Sequence, residues 1–248
     1  MEKYLNCVMD IGEKMLISGA EVHRIEQSIC HMCKAFGASR TDVFIITSSM
    51  VVTVFDEVGK TYTQTRRITA SGTDFEKLHK LNALSRKICS QHLSVEDIKA
   101  ELEKIEACRA RPFWLESLSY SVIAGAFTLF YGGSITEAMV SFVIGAIVRL
   151  SVAVGEKAIR NRVFSKFFSS VVATLLAYIA LKIGVIESVD KVIIGNIMTL
   201  IPGVGLTNAL RDLFTGDSIA AILRTIEAVL IALAIAAGYF LVALLGGF

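Results

Sequence analysis

The pattern of apolar and polar residues changes near residue 111. Before this point, apolar residues recur at helical or strand spacing among most of the charged residues, whereas long stretches with few charges follow residue 117. An amphipathic pattern is typical of soluble elements, and a long apolar stretch is typical of membrane-spanning helices. The pattern therefore predicts a small soluble α/β domain over residues 1–111, long enough for its own core, and a transmembrane helical domain over residues 112–248.

Four helices and three strands are predicted in the first part. Val22, Ile25 and Ile29 share one face of the second helix. Asp74 and Ser94 stand where the third and fourth helices need N-terminal caps. The predicted helices cover residues 5–18, 20–36, 74–91 and 94–107, and the predicted strands are Val43–Thr47, Met50–Phe55 and Lys60–Ile68.

Five apolar segments in the second part are candidate transmembrane helices. They cover residues 115–132, 135–155, 165–185, 190–206 and 219–246. The predicted fold class is therefore an all-α membrane bundle of about five transmembrane helices, one of them broken, preceded by the small α/β domain. A composition with 54% hydrophobic and 19% charged residues and a mean hydropathy of +0.60 agrees with this prediction.

The fourth apolar segment is interrupted by Pro202 and Gly203. About ten helical residues precede the break, and they rise roughly 15 Å, half of a hydrocarbon core near 30 Å thick. Lipid cannot satisfy the backbone groups freed at that depth, so protein or water must surround them. Secondary transporters bind solutes and coupling ions at broken helices of this kind. We therefore predict a solute passage that works by alternating access at this break.

The distribution of basic residues predicts the orientation. Two basic groups flank the apolar segments, one before the first segment and one between the second and the third. They consist of Lys104, Arg109, Arg111, Lys157, Arg160, Arg162 and Lys166. The links at 132–136 and 184–190 contain no basic residue. Because basic links stay in the cytosol, the N-terminal domain is predicted to be cytosolic and the C-terminus to lie outside.

Polar residues near the break and within the spans are candidates for the solute or ion pathway, because an ionisable group at membrane depth costs at least about 2.5 kcal/mol. The candidates are Asn196, Pro202, Gly203, Asn208, Arg211, Asp212, Asp217, Arg224, Glu227 and Arg149. The Arg211 guanidinium matches the two oxygens of a carboxylate. Asp212, Asp217 or Glu227 could face an ammonium group or exchange a proton.

Structural interpretations stand beside these functional ones. Residues 207–217 fit a cytosolic loop helix with solvated charges that ends at Gly216. Arg149 could extend its guanidinium to the membrane interface. Arg224 and Glu227 have the i, i+3 spacing of a local ion pair.

We expect no cofactor, no metal and no nucleic-acid partner. The net charge is only +2, and there is no phosphate-binding glycine motif. Cys30 and Cys33 form a CxxC pair without a second ligand pair, and His23, His79 and His92 show no metal-ligand spacing. The odd number of cysteines favours free thiols, and the first residues predict an amphipathic helix rather than a secretory leader.

Three groups of residues resemble the threonine/serine exporter family. They are Ser18-Gly19-Ala20-Glu21 with Arg24 and Glu26, then Thr65-Arg66-Arg67-Ile68, and finally Ile201-Pro202-Gly203 followed by Asn208, Asp212, Gly216, Asp217, Arg224 and Glu227. The chain is similar to the larger half of exporters split into a five-helix chain and a shorter membrane partner. The resemblance implies export of small amino acids, or of a dicarboxylate such as succinate, across the inner membrane of a bacterium. It implies a short partner chain, additional copies of this chain, or both.

The soluble motif Glu21, Arg24 and Glu26 allows two interpretations. Acidic residues in the first turns of a helix suit its dipole, which is a structural role, and a role in gating is the alternative. Arg24 is expected to pair within the domain or against the membrane half. A membrane-tethered enzyme with its chemistry in residues 1–108 and a regulatory subunit that only docks a partner are the other functional hypotheses, although no catalytic motif supports an enzyme.

Overall fold

The computed structural model describes residues 1–91, 93–108, 111–159 and 161–246. The chain divides into two compact units. The first contains Met1–Arg109 and Val204–Ile226, and the second contains Ala110–Gly203 and Glu227–Phe248. The sequence predicted a single change of domain near residue 111. The structure differs by grouping Val204–Ile226 with the N-terminal residues.

The first unit contains the predicted helices and strands in the predicted order. These elements are α1 (Glu2–Ile17), α2 (Val22–Ala35), β1 (Ala38–Ile46), β2 (Ser49–Asp56), β3 (Thr61–Arg67), α3 (Phe75–Gln91) and α4 (Val95–Glu106). The strands form an antiparallel sheet in the order β1-β2-β3, with Val52 opposite Val43 on one side and Gln64 on the other. β1 begins five residues before the predicted bound, because its polar first half still pairs with β2.

One face of the sheet packs on the helices of this unit. Met50, Val52 and Val54 alternate along β2 and are buried in a core that also contains the apolar faces of α1 and α2. The predicted caps are present. The Ser94 hydroxyl accepts the Asp97 N–H at 3.2 Å, and the Asp74 carboxylate accepts the Lys77 N–H at 3.0 Å.

All regular elements in the described residues after 111 are helices. They are α5 (Phe113–Phe130), α6 (Ile135–Ile159), α7 (Arg162–Lys182), α8 (Val189–Ile197), α9 (Gly203–Thr215) and α10 (Ser218–Gly246). From Val204 onward α9 belongs to the first unit, as do the first nine residues of α10.

Four helices in the described part of the chain are long and apolar enough to cross a membrane. They are Phe113–Phe130, Ile135–Ala158, Arg162–Lys182 and Ser218–Gly246. The fourth predicted segment, residues 190–206, is not one of these long helices, and it is the segment for which the sequence predicted a break. That segment is divided between the nine residues of α8, an irregular stretch at 198–202 and the first turn of α9. The break predicted at Pro202 and Gly203 is therefore present, and it is wider than one residue.

Close packing holds the second unit together. A Cβ added to Gly145 would lie 2.8 Å from the Tyr120 carbonyl oxygen, and one added to Gly125 would lie 3.1 Å from that of Ala138. Thr128 donates a hydrogen bond to Ser141 at 2.7 Å, between α5 and α6. Small residues and short polar contacts replace the hydrophobic driving force that membrane helices lack among themselves.

Candidate functional site

The candidate site of the first unit begins at the turn between α1 and α2. Gly19 adopts a φ of +91°, which lets the Ala20 N–H reach the Met15 carbonyl and the Gly19 N–H reach the Leu16 carbonyl, both at 3.1 Å. This is a Schellman ending, and it requires a residue without a Cβ at the left-handed position. The next carbonyl groups, of Gly19 and Ala20, then accept hydrogen bonds from side chains.

Side chains of α9 and α10 bind this turn. Asn208 donates from Nδ2 to the Gly19 carbonyl at 2.9 Å, and Arg224 donates from Nη2 to the Ala20 carbonyl at 2.9 Å. The Arg211 guanidinium forms a short ion pair with Glu21. We call Gly19–Val22 together with Asn208, Arg211, Asp212 and Arg224 the turn–helix cluster.

Asp212 is the buried centre of the turn–helix cluster. Its Oδ1 accepts the N–H of Val22, the first residue of α2, at 3.2 Å, and its Oδ2 lies 3.1 Å from Nε of Arg224. The second contact is an ion pair without the alignment of a hydrogen bond. Glu21 occupies the N-cap position of α2 but makes no side-chain capping bond. Asp212, 190 residues away, therefore supplies the negative charge that the N-terminus of this helix favours.

Burial and charge act in opposite directions on this carboxylate. The Asp212 side chain is 0% exposed, and that of Arg224 is 11% exposed. Burial raises the pKa of Asp212 above its ordinary value, whereas the Arg224 charge and the Val22 N–H oppose the rise. A buried ion pair of this kind is costly to break, because removing one partner leaves an uncompensated charge.

The end of α9 brings the carboxylate of Asp217 close to two polar side chains of α2. Gly216 has a φ of +96°, and the Asp217 N–H returns to the Asp212 carbonyl at 2.8 Å. Asp217 thereby lies beside Glu26 and His23, with one ligand atom of each within 4.8 Å of the others. Burial first, and the Asp217 charge second, raise the pKa of Glu26.

The structural interpretation of residues 207–217 is half right. The segment is helical and ends at Gly216, but Asn208 and Asp212 are buried rather than solvated. The Arg211 side chain is 61% exposed and already occupied by Glu21. The side chain of Arg24 is exposed, and it forms no ion pair among the described residues, contrary to the expected pairing within the domain.

The second unit contains the remaining predicted residues. Asn196, in the last turn of α8, is 0% exposed. Its Nδ2 donates to the Val192 carbonyl at 2.9 Å, but its Oδ1 accepts no hydrogen bond from the described residues. Pro202 directly precedes α9 and has no backbone N–H to donate. The Gly203 N–H donates to the Ile201 carbonyl at 2.9 Å.

Two ion pairs in this unit give partners to predicted residues, and the second corrects a sequence-based interpretation. Arg149 pairs with Glu116 in the first turn of α5, with its guanidinium 5.1 Å from the ring centre of Phe113. Glu227 pairs with Arg162 at 3.2 Å and not with Arg224. Sequence reasoning missed Glu116 as the partner of Arg149, although an acidic residue at the start of an apolar segment is visible in the sequence.

A third acidic side chain ties two links of the second unit. Glu137 is 4% exposed, and its two carboxylate oxygens accept the N–H groups of Ser134 and Ser188, each at 2.7 Å. The link after α5 and the link after α7 therefore meet at one end of α6. Sequence spacing could not have indicated this contact, because Ser188 lies 51 residues from Glu137.

The CxxC pair lies on α2, with Cys33 in the core and Cys30 half-buried. Cys33 is buried, and burial raises its pKa to about 12, while burial also raises the pKa of Cys30. Thiols held in their protonated form are poor nucleophiles and poor metal ligands. His92 lies outside the described residues, as do Arg109 and Arg160 of the predicted basic groups.

Comparison with known proteins identifies the family. The family model described as "Putative threonine/serine exporter" matches residues 6–246. The chain belongs to the threonine/serine exporter family. It is therefore a membrane protein of a transporter family, and the resemblance seen in the sequence is confirmed.

Individual members of the exporter family are distant in sequence. The chain is 25% identical to the threonine/serine exporter of Corynebacterium glutamicum over 94% of its own length and 49% of the relative's. It is 24% identical to the probable threonine/serine exporter of Mycobacterium tuberculosis, over 95% of this chain and 45% of the relative. It is also 24% identical to pheromone-regulated membrane protein 10 of Eremothecium gossypii, over 97% of this chain and 33% of that protein. The chain thus spans a third to a half of these relatives, and no solved structure matches it.

The exporter-family motifs acquire a physical meaning in the first unit. The Gly19-Ala20-Glu21 motif and the motif that begins at Asn208 are far apart in the sequence, yet they supply the two sides of the turn–helix cluster. Their residues are engaged with one another, so the cluster is a built contact rather than a set of solvated charges.

Proposed function

We propose that this chain is a subunit of a secondary exporter that moves small amino acids of the threonine/serine kind out of the bacterial cytosol by alternating access. The observation on which the proposal rests is the interrupted passage of the chain between α7 and α10. The family assignment supports an exporter, and the contacts described above suggest where the solute crosses.

The contacts of the second unit support a fifth crossing. Glu137 joins the links after α5 and after α7 at one end of α6. The pair Arg162–Glu227 joins the start of α7 to α10 at the other end. The chain must therefore return across the membrane between Ser188 and Glu227. None of the helices in that interval has the length of a full span among the described residues.

The length of α10 agrees with this topology. Twenty of its residues, from Glu227 to Gly246, belong to the second unit, and they rise about 30 Å, the thickness of a hydrocarbon core. The nine residues before Glu227 belong to the first unit and remain outside the core. Val204–Ile226 then shares the cytosolic side that we propose for the N-terminal domain, and the C-terminus lies outside.

The crossing at 189–203 cannot be a plain lipid-facing helix. α8 rises about 13.5 Å, and the stretch at 198–202 is irregular. Irregular backbone at membrane depth requires protein or water around it. Asn196 lies next to this stretch with a buried, unsatisfied amide oxygen. We place the solute there, with the amide oxygen accepting a hydrogen bond from the solute's ammonium group.

The turn–helix cluster is the proposed cytosolic gate. α9 follows the break directly in the chain, so the cluster is connected to the proposed passage through continuous backbone. Arg211 is held by Glu21, and a solute carboxylate that takes the place of Glu21 would release the α1–α2 turn from α9. This exchange couples solute arrival to opening, because a solute carboxylate that binds the N–H groups held by Glu21 must displace Glu21 from Arg211.

The pathway we propose is incomplete in one chain. The relatives are two to three times as long as the part they share with it, and transporter folds are commonly built from repeats. A short membrane partner of the same family, or a further copy of this chain, would supply the remainder. A dicarboxylate such as succinate is the second candidate solute, since the carboxylate exchange at Arg211 serves it equally.

Transport by the full-length chain in lipid vesicles tests the proposal. Vesicles with and without a short family partner are loaded with labelled serine, threonine or succinate, and efflux is measured. We expect serine and threonine efflux that falls more than tenfold in Asn196→Ala, whereas the exposed Ser119→Ala in α5 transports normally. Equal efflux in both variants would exclude Asn196 as the solute site, and normal efflux in Arg211→Ala would favour a regulatory subunit.

A further inference from the structure

A cluster of three potential metal ligands lies outside the proposed solute pathway. His23 and Glu26 are one turn apart on the same face of α2, and Asp217 follows α9 in the turn before α10. Their ligand atoms lie within 4.8 Å of one another, and all three residues are half-buried. Two segments that are far apart in the sequence therefore converge on one point.

The charge at this point is uncompensated. Glu21 and Asp212 each have an arginine partner, but neither Glu26 nor Asp217 forms an ion pair with a lysine or arginine among the described residues. Two half-buried carboxylates at this separation repel each other. The arrangement favours the binding of a cation.

We propose that His23, Glu26 and Asp217 bind one divalent transition-metal ion, with Zn²⁺ as the expected occupant. One imidazole nitrogen and two carboxylate oxygens form a three-ligand set that suits zinc and leaves a fourth position for water. The imidazole distinguishes this set from the all-oxygen sites that Ca²⁺ and Mg²⁺ prefer.

The geometry requires only small adjustments to hold the ion. Ligand atoms about 2.1 Å from a tetrahedral zinc are roughly 3.4 Å apart, and the present atoms lie within 4.8 Å of one another, so side-chain rotations that shorten each separation by at most about 1.4 Å suffice. The Gln27 side chain lies 2.9 Å from Nε2 of His23. In this orientation the Gln27 amide N–H donates to Nε2; with the amide flipped, its oxygen would accept an Nε2 proton, which is the outer contact that orients an imidazole bound to a metal through Nδ1.

The turn–helix cluster holds the two segments in place without a metal. Four contacts join the α1–α2 turn to α9 and α10 independently of the three ligands. The ion would therefore add a clamp between α2 and the α9–α10 turn. This inference does not depend on the proposed solute or on transport, and its test needs neither.

The test uses full-length protein in detergent, stripped with a chelator and then supplied with Zn²⁺ alone. We expect one bound ion per chain by elemental analysis and a rise in the thermal midpoint. His23→Gln, Glu26→Gln and Asp217→Asn should each weaken zinc binding at least tenfold. Co²⁺ in place of Zn²⁺ should show d–d absorption bands that are lost in the same three variants.

Matched controls separate this site from other ligands. His31→Gln changes an exposed histidine of the same helix, and Cys33→Ser tests the CxxC pair; both should bind zinc like the unchanged protein. Without metal, Glu26→Gln and Asp217→Asn should melt no lower than the unchanged protein, because each removes repulsion. Absence of stoichiometric zinc, unchanged binding in the three ligand variants, loss of binding in either control, or lower metal-free midpoints in both carboxylate variants would each overturn the proposal.

Discussion

Polar residues on the two sides of the Pro202 break differ in whether their side chains have partners. On the α9 side, Asn208, Arg211 and Asp212 each have a partner in the α1–α2 turn. On the α8 side, Asn196 is fully buried, and its amide oxygen has no partner among the described residues. Buried groups with hydrogen-bond partners stabilise one arrangement. A buried group without a partner destabilises the folded state, and a ligand that hydrogen-bonds to it can offset this cost. The comparison therefore predicts that the buried residues Asn208 and Asp212 stabilise the α9 side, whereas the exposed Arg211 serves the proposed gate and Asn196 on the α8 side serves the proposed ligand recognition.

The largest effect is expected at the buried ion pair of the α9 side. Arg224→Met leaves Asp212 buried and uncompensated, and should lower the free energy of unfolding of the first unit by about 3–5 kcal/mol. Denaturant unfolding of the full-length protein, followed by circular dichroism, measures this loss. The double variant Asp212→Asn, Arg224→Met should recover part of it, because no isolated charge remains. Equal stability of the single variant and the unchanged protein would mean that Asp212 is not the centre of the cluster.

The α8 side should respond in the opposite direction. Asn196→Leu removes the unsatisfied oxygen, whose burial costs about 1–3 kcal/mol, so the variant should unfold at an equal or higher temperature. The same change should abolish efflux, because the solute loses its acceptor. Thermal unfolding and vesicle efflux are measured together. If Asn196→Leu melted well below the unchanged protein, the Asn196 amide would have a structural role. The α8 side would then not differ from the α9 side in this respect.

A smaller effect is expected at the ion pair of α5 and α6. Glu116→Gln leaves Arg149 partly buried beside aromatic rings and should cost about 1 kcal/mol, since Glu116 is one-third exposed and solvent screens the pair. The thermal midpoint reports this loss. The substitution Ser119→Ala in the same helix serves as a control that should not change it. A loss as large as that of Arg224→Met would make this pair, and not the turn–helix cluster, the main electrostatic support.

The smallest effect on stability is expected at Arg211, although the proposed effect of this residue on transport is large. Arg211→Gln breaks an ion pair whose arginine is 61% exposed, so the free energy of unfolding should change by less than about 1 kcal/mol. Efflux should nevertheless fall, because the carboxylate exchange at the gate is lost. Glu21→Gln is the informative companion, since it frees Arg211 and should weaken gating without removing solute binding. If Arg211→Gln and Glu21→Gln each transported solute like the unchanged protein, the proposed exchange of Glu21 for a solute carboxylate at Arg211 would be contradicted.

Much of the architecture could be predicted because its signals are local. The caps at Ser94 and Asp74, the order of helices and strands, and the break at Pro202 follow from residues a few positions apart. The extent of the break was not predicted. A proline without an N–H marks its place, but the structure divides residues 190–206 into α8, an irregular stretch at 198–202 and the start of α9.

The candidate residues were found in the sequence, but their partners were not. Arg224 and Glu227 have the spacing of a local pair, yet each binds a residue from another helix. Glu116 was not considered as the partner of Arg149, although its place in an apolar helix was a visible signal. Arg211 was predicted to be available to a solute, and in the structure Glu21 occupies it.

The sequence by itself determined the division into amphipathic and apolar parts, the type of each element and the place of the break. These properties depend on side-chain periodicity and backbone chemistry within a few residues. Only the tertiary structure decided that Val204–Ile226 joins the first unit, that Asp212 supplies the missing cap of α2 and that Asp217 meets His23 and Glu26. Those choices depend on how surfaces about 190 residues apart in the chain pack together, and the partner of a buried charge is fixed by that packing.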